Sequence, residues 1–284
     1  MNDLNKIIGV VVGSILKESN ELIGELSSRA ILTGAPLLLN SDNESIELII
    51  NEFDKLIKKE VIYSQYRNLF ELKDYHDKLI RTGYKYEEHL DIIVDLKKTE
   101  SELWNEIHSK RRNEIRKAEK VGTLFKVSES SKDISETYNI LKGVYKRSKL
   151  PLPDQKYFEL AYEELGKEQF KIFLAMSEGK FIGTMYALCF KDTIYDWYAG
   201  SIQEYYNKYP NDLIPWKVFL WGKENGYKKF DFGGAGKPGI KYGVRDYKKK
   251  FGGDLVNYGR YEKIQKPFLY QLSKLGFKIY QKLK

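Results

Sequence analysis

The feature that most constrains the fold of this chain is a run of three apolar segments separated by two-residue turns. Residues 171–176 (KIFLAM), 181–190 (FIGTMYALCF) and 193–199 (TIYDWYA) are rich in β-branched and aromatic residues, and Glu178-Gly179 and Lys191-Asp192 divide them. Turns so short can join only antiparallel neighbours, so the stretch predicts a β-meander. Such a sheet has an apolar face to bury, and the helices that bury it must come from the flanking sequence.

Those helices are legible. Apolar residues recur at helical spacing over 133–146, 157–165 and 214–225, the last stopped by Gly226 and followed by a strand at 229–232. Residues 125–128 read as a strand, and 148–155, with Pro151 and Pro153, as an extended connector. A single long helix is expected over 101–121, with Ser101 and Glu102 at its start and Gly122 as its stop. The second half therefore runs β-α-α-β-β-β-α-β. The first half predicts a hairpin from 7–12 and 14–17, further strands at 29–32, 61–65 and 89–96, and helices over 44–58 and 74–82. Ser41 or Asp42 would cap the first of these helices and Gly83 would close the second. A last helix spans 267–284. The class is α/β (α+β), with expected divisions 1–98, 99–265 and 266–284.

Composition narrows the function. Apolar residues at 42% with 31% charged fit a folded chain and exclude a disordered one. The lone Cys189 excludes an intrachain disulfide and a CxxC metal site, and its apolar surroundings predict a buried structural thiol. His76, His89 and His108 have no metal-ligand spacing, so no metal is expected. No segment approaches the roughly 20 apolar residues of a membrane span, so a cytoplasmic location is expected. The net charge of +8 favours anionic partners. With 22 Tyr and 14 Phe, the chain carries either a tyrosine-lined groove or simply Tyr-rich strands.

Three ordered blocks stand out: WNEIHSKRRNEIRKAEKVG at 104–122, YNKYPNDLIPWKVFLWGKENGYKKFDFGGAG at 206–236 and YGVRDYKKKFGG at 242–253. They resemble the R-x-x-I-R-K-A-x-K-x-G helix, the D-F-G-G strand end and the F-K-x-x-F-G-G block of Fem-type acyl- and aminoacyltransferases, with Tyr247 in place of the usual Phe. The element order of the second half is likewise similar to the GCN5-related N-acetyltransferase (GNAT) fold. The resemblance implies tandem GNAT-like domains with mixed, mainly antiparallel twisted sheets, the N-terminal one shortened. It implies transfer of an acyl or aminoacyl group from aminoacyl-tRNA or acyl-CoA to an amine of a cell-envelope precursor, a peptidoglycan peptide or an amino sugar. It implies no tightly bound cofactor, a monomer or weak dimer, and tRNA as a partner of the tRNA-dependent kind. The other reading is a non-catalytic RNA-binding or envelope-scaffold protein.

Candidate site residues follow from the blocks. Acyl transfer to an amine passes through a tetrahedral oxyanion and releases a proton. Lys248 is the candidate to stabilise that oxyanion or a donor phosphate, the alternative being a surface lysine beside Lys249 and Lys250. Asp231, just before Gly233 and Gly234, is the candidate to orient the amine, or else a strand-end cap. Arg245 is a candidate clamp for a phosphate or carboxylate, or a partner for a nearby acid. Tyr195, Trp197, Tyr198 and Tyr206 are candidates to line the acceptor groove, the first three alternatively core. Arg112, Arg116 and Lys117 form a candidate face for the carrier's phosphates, or an ordinary solvated face. One departure bears on the donor: acyl-CoA-dependent GNAT enzymes hold pyrophosphate on a glycine-rich loop before the helix that here starts near Ile214, and EYYNKYPNDL has no glycine. The tail helix, with Lys266, Lys274, Lys278, Lys282 and Lys284 beside its leucines, either packs on the domain or lies on an anionic membrane.

Overall fold

In the computed structural model, which describes residues 6–17, 22–39 and 43–283, the chain divides into two compact units. One comprises Met1–Leu90 with Asn257–Lys284, the other Asp91–Val256. The expected boundaries lay at 98 and 265, later in the chain in both cases. The proposed caps Ser41 and Asp42 lie outside the described residues.

The first unit begins with strands Gly9–Val10 (β1) and Ser14–Leu16 (β2), helix Leu22–Ser27 (α1), and strands Arg29–Thr33 (β3) and Leu37–Leu38 (β4). Helix Asn43–Ile57 (α2), strand Tyr63–Arg67 (β5), helix Lys73–Arg81 (α3) and strand Lys85–Glu87 (β6) follow. The expected hairpin does not form: β1 pairs with β4 in a separate two-stranded sheet, and β2 pairs with β3. Strands β3 and β5 are parallel, with α2 as the crossover. The tail strand Arg260–Ile264 (β14 in chain order) inserts between β5 and β6, giving the order β2-β3-β5-β14-β6. Ile46, Ile50, Phe53 and Ile57, at the spacing read in the sequence, pack from α2 onto Leu32, Tyr66 and Tyr261.

The second unit holds strand Leu90–Asp95 (β7), helices Glu100–Glu106 (α4) and Ser109–Lys120 (α5), strand Leu124–Val127 (β8), and helices Asp133–Ser148 (α6) and Gln155–Gln169 (α7). The meander is Phe170–Ser177 (β9), Lys180–Phe190 (β10) and Thr193–Ser201 (β11). Then come helix Pro210–Glu224 (α8), strand Lys229–Gly234 (β12), helix Gly243–Lys248 (α9) and strand Asp254–Asn257 (β13). The sheet runs β13-β7-β12-β11-β10-β9-β8. The meander is antiparallel as expected, and β12 joins it parallel to β11 by way of α8. Strand β7, read from sequence with the first half, pairs with β12 instead.

The two faces of this sheet are covered by different helices. Ile134 and Leu141 of α6 and Phe158 of α7 pack on Phe170, Ile172, Leu174 and Tyr186. On the opposite parity, Gly183 lies against Pro210 and Ile214 of α8. Helix α8 is buried on most of its circumference, from Leu213 and Ile214 to Trp216, Val218 and Phe219. Cys189 is buried, and that burial pushes its thiol up to about 11, as a structural thiol requires.

The helix expected over 101–121 is two helices. Thr99 and Glu102 form a reciprocal capping box that starts α4. Ile107 then takes extended backbone angles, and the His108 ring accepts the Lys110 N–H to start α5. The His108 N–H, freed from any helix, donates to the Lys250 carbonyl at 2.8 Å. Tail helix Pro267–Leu283 (α10) belongs to the first unit and follows β14 directly. Among the described residues no helix is long and apolar enough to cross a membrane.

Candidate active site

The sheet of the second unit opens at one place. Strands β11 and β12 stay paired over only three positions, ending at Tyr195 opposite Asp231. Beyond that point β11 continues to Ser201 and β12 to Gly234 without pairing to each other. On the other side of β12, the register with β7 also breaks between Asp231 and Gly234. The end of β12 thus carries backbone groups that the sheet no longer satisfies, and an unpaired buried carbonyl is costly.

Lys248 fills that gap. Its Nζ donates to the carbonyl oxygens of Phe232 at 2.6 Å and Gly234 at 3.0 Å, with Gly233 at the limit of 3.5 Å. The short helix α9 brings it there, and Tyr247 beside it is fixed by donating its hydroxyl to the Asn211 carbonyl at 2.5 Å. The Phe-to-Tyr departure in the block therefore has a partner of its own. Burial lowers the Lys248 pKa, while the charges of Asp196, Asp91 and Asp231 oppose that shift.

Of these three carboxyls, Asp231 and Asp196 lie on the two strands that part at the opening. Asp231 is buried, its Oδ1 accepts the Gly233 N–H at 2.6 Å, and desolvation pushes it up to about 6 against the pull of that bond and of Lys248. Asp196, on the part of β11 that has left β12, is likewise pushed up to about 6 by desolvation, with Asp231 adding to the rise and Lys248 opposing it. Gly233 has φ +68, and a Cβ there would stand 3.2 Å from the Tyr195 ring, so only glycine lets the strand end turn against that tyrosine. Burial raises the Tyr145 pKa, and the nearby charges of Tyr198, Asp196, Tyr195 and Tyr242 add to the rise.

Of the residues predicted from sequence, Lys248, Asp231, Gly233, Gly234 and Tyr195 come together here. Trp197 and Tyr198 do not line the opening. A register shift opposite Tyr186 and Ala187 leaves Trp197 unpaired on β11, and both rings pack on Phe158 in the core. Arg245 is no ligand clamp in this structure: its guanidinium donates to the carbonyls of Ala235 at 3.2 Å, Lys237 at 2.7 Å and Ile240, holding the loop after β12. Tyr206 is exposed on a 3-10 turn, Gln203–Lys208. Arg112 reaches the Trp104 carbonyl, Arg116 lies over the Trp104 ring at 5.1 Å and Lys117 over Tyr209 at 5.7 Å, so their partners are not those of the opening.

Sequence reading missed Asp196 and a buried ion cluster. Arg111 pairs with Asp212 and, at 2.9 Å, with Glu114, and lies 5.0 Å over the Tyr247 ring. Burial pushes Asp212 up to about 6 even with Arg111 beside it. Among the described residues no group of three or more His, Cys, Asp or Glu side chains could hold a metal.

The model of the acetyltransferase (GNAT) domain family matches residues 108–249, half of the chain. Among solved structures, FemX is similar over 96% of this chain and 88% of its own, at 17% identity and a TM-score of 0.69. L-PGS from Bacillus licheniformis is similar over 94% and 86%, at 18% identity and a TM-score of 0.61. A GCN5-related glucosamine N-acetyltransferase region of a fungal multi-domain β-N-acetylglucosaminidase is similar over 92% of this chain and 32% of its own, at 12% identity and a TM-score of 0.55. No curated protein matches by sequence.

Proposed function

We propose that this chain, which belongs to the GNAT acetyltransferase-domain family and is thereby an N-acyltransferase, moves an aminoacyl or acyl group from a carrier to an amine of a cell-envelope precursor. The observation that carries the reading is the opening between β11 and β12, with Lys248, Asp231 and Asp196 around it. The amine nitrogen attacks the ester or thioester carbonyl, a C–N bond forms, and the C–O or C–S bond to the carrier breaks. The proton lost by the amine passes to a carboxylate, and one that titrates at about 6 is matched to that task near neutral pH. Lys248 stabilises the oxyanion by giving up its longest contact, the 3.5 Å approach to the Gly233 carbonyl.

The fungal region's name, a glucosamine N-acetyltransferase, supports acyl transfer with an amino sugar as one acceptor class. The exposed cations Arg116 and Lys117 on α5, with half-buried Arg112 beside them, suit a polyanionic carrier such as tRNA. Phe268, Leu272 and Leu275 form an exposed apolar stripe on α10 beside Lys274, which supports peripheral contact with the inner face of an anionic membrane. The test is direct. Purified protein is incubated with envelope precursors and either labelled aminoacyl-tRNA or labelled acyl-CoAs; transfer from one pool is expected, and none from either would overturn the proposal.

A further inference from the structure

Helix α9 cannot hold itself in place. It spans 6 residues, less than two turns, and its N-cap residue Tyr242 makes no side-chain cap. Arg245 ties down the loop on its N-terminal side, which leaves the end that carries Lys248. Two rings bracket that lysine: Tyr247 before it and Phe251 in the 3-10 turn that follows. What those rings rest on decides where the ammonium reaches.

Both rest on Arg111. Its guanidinium lies 5.0 Å from the centre of the Tyr247 ring and 6.0 Å from that of Phe251, and the two rings meet edge to face at 5.3 Å. Phe251 is buried against Phe232 of β12 at 5.7 Å, the residue whose carbonyl Lys248 engages. The guanidinium itself is fixed by Asp212 of α8 and Glu114 of α5. Asn211, next to Asp212, accepts the Tyr247 hydroxyl on its carbonyl, and its side-chain oxygen accepts the Ser201 hydroxyl at 2.8 Å. A buried ion pair is a poor way to hold two helices together, since apolar side chains of similar volume often do it as well. Here it also leaves the Arg111 Nε buried with no hydrogen-bond partner among the described residues. What apolar side chains cannot offer is a flat cation against a ring.

We propose that Arg111 and Asp212 are positioning residues: the pair holds Tyr247 and Phe251 so that Lys248, between them, reaches the end of β12. Asp212 sets the guanidinium, the guanidinium sets the two rings, and the rings set the backbone from which Lys248 extends. Without the plane of Arg111, α9 is free to turn about its own axis, and the ammonium leaves the carbonyls of Phe232 and Gly234 for solvent. That Lys248 then acts on an oxyanion rests on the acyl-transfer reading; where it is held does not.

The experiment compares wild type with Arg111→Met/Asp212→Leu, which replaces the pair by apolar side chains, and with Arg111→Lys, which keeps a charge beside Asp212 but loses the plane. Glu119→Ala/Lys217→Ala is the control: it removes a pair, 2.7 Å apart, that joins the same two helices about two turns further along α5. Unfolding temperatures check that all four proteins fold. Lys248 is acetylated with N-hydroxysuccinimide acetate and quantified by peptide mass spectrometry against its exposed neighbour Lys249. In both Arg111 variants that ratio should rise fivefold or more. Their kcat, with whichever labelled pool of aminoacyl-tRNA or acyl-CoA wild type uses, should fall tenfold or more while KM stays within twofold. The control should match wild type in both readouts. A ratio unchanged in the Arg111 variants, or raised equally in the control, overturns the proposal, and transfer by wild type would still support the acyltransferase reading. A raised ratio with wild-type kcat overturns it too, because the placement of Lys248 would then not matter to the reaction. A raised ratio in the Arg111 variants alone, with no transfer by wild type, keeps the placement and removes the acyltransferase reading.

Discussion

The Lys248 ammonium donates to the Phe232 carbonyl at 2.6 Å, and in doing so takes the place of a neighbouring strand. The residue therefore carries a structural load as well as its proposed chemical one. Lys248→Ala should abolish transfer and also cost about 1–3 kcal/mol, because the carbonyls at the end of β12 lose their donor. Turnover and urea unfolding of the same preparation measure both, and full activity in this variant would remove Lys248 from the mechanism.

The pH dependence has a definite sign. Asp231 and Asp196 both hold their proton up to about 6 in the folded chain, above the unfolded value near 3.9. The folded state thus binds more protons across that window, so stability falls as pH rises from about 4 to about 6 and is level above it. Asp231→Asn removes one such group and should narrow the fall by up to about 3 kcal/mol. Denaturation midpoints at pH 4.5 and 7.5 for the two proteins check this, and equal pH dependence in both would contradict it.

The same groups predict the rate profile. With a carboxylate as base, the transfer rate climbs with pH until about 6 and then levels. Loss of that limb in Asp196→Asn but not Asp231→Asn would identify Asp196 as the base, and the converse would identify Asp231. A profile flat from pH 5 to 8 in wild type would exclude both.

Gly233→Ala should be worse than a change at an ordinary turn glycine. Both Gly233 and Gly226 have positive φ, +68 and +81, but an added Cβ at Gly226 meets nothing within 4 Å whereas at Gly233 it meets the Tyr195 ring. The expected loss is about 1 kcal/mol for Gly226→Ala and roughly 2 for Gly233→Ala, with reduced turnover only in the latter. Equal effects at the two sites would show that the tyrosine yields freely.

Asp212→Ala leaves the Arg111 charge buried without its main partner and should cost about 3–5 kcal/mol. Replacing both with apolar residues, Arg111→Met and Asp212→Leu, should recover most of that. A double-mutant cycle on thermal unfolding tests the coupling.

How much of this was legible in the sequence depended on where each residue's partner lies. The meander, α2 and α6 could be read because their signals are local: tight turns and apolar periodicity. The D-F-G-G and F-K-x-x-F-G-G blocks located Asp231 and Lys248 together because both belong to one short stretch. The break at Ile107 and His108 was not visible, since the His108 N–H finds its acceptor at Lys250, far along the chain. Asp196 looked like one polar position in an aromatic strand; only the departure of β12 beside it makes it a site residue. Arg111 carries no signal of its own within the 104–122 block, and its role depends on Asp212, about a hundred positions away. Strands β6, β13 and β14 are short and polar, and pairing across the fold defines them.

Strand β14 also sets a timetable. It lies between β5 and β6, yet it is translated nearly two hundred residues after β5. As the chain leaves the ribosome, β5 must wait with a bare edge and β6 with no partner strand while the whole of the second unit is made and can fold. A nascent first unit is therefore a natural client for a chaperone, and a message truncated before Arg260 would release a product with its sheet permanently unzipped.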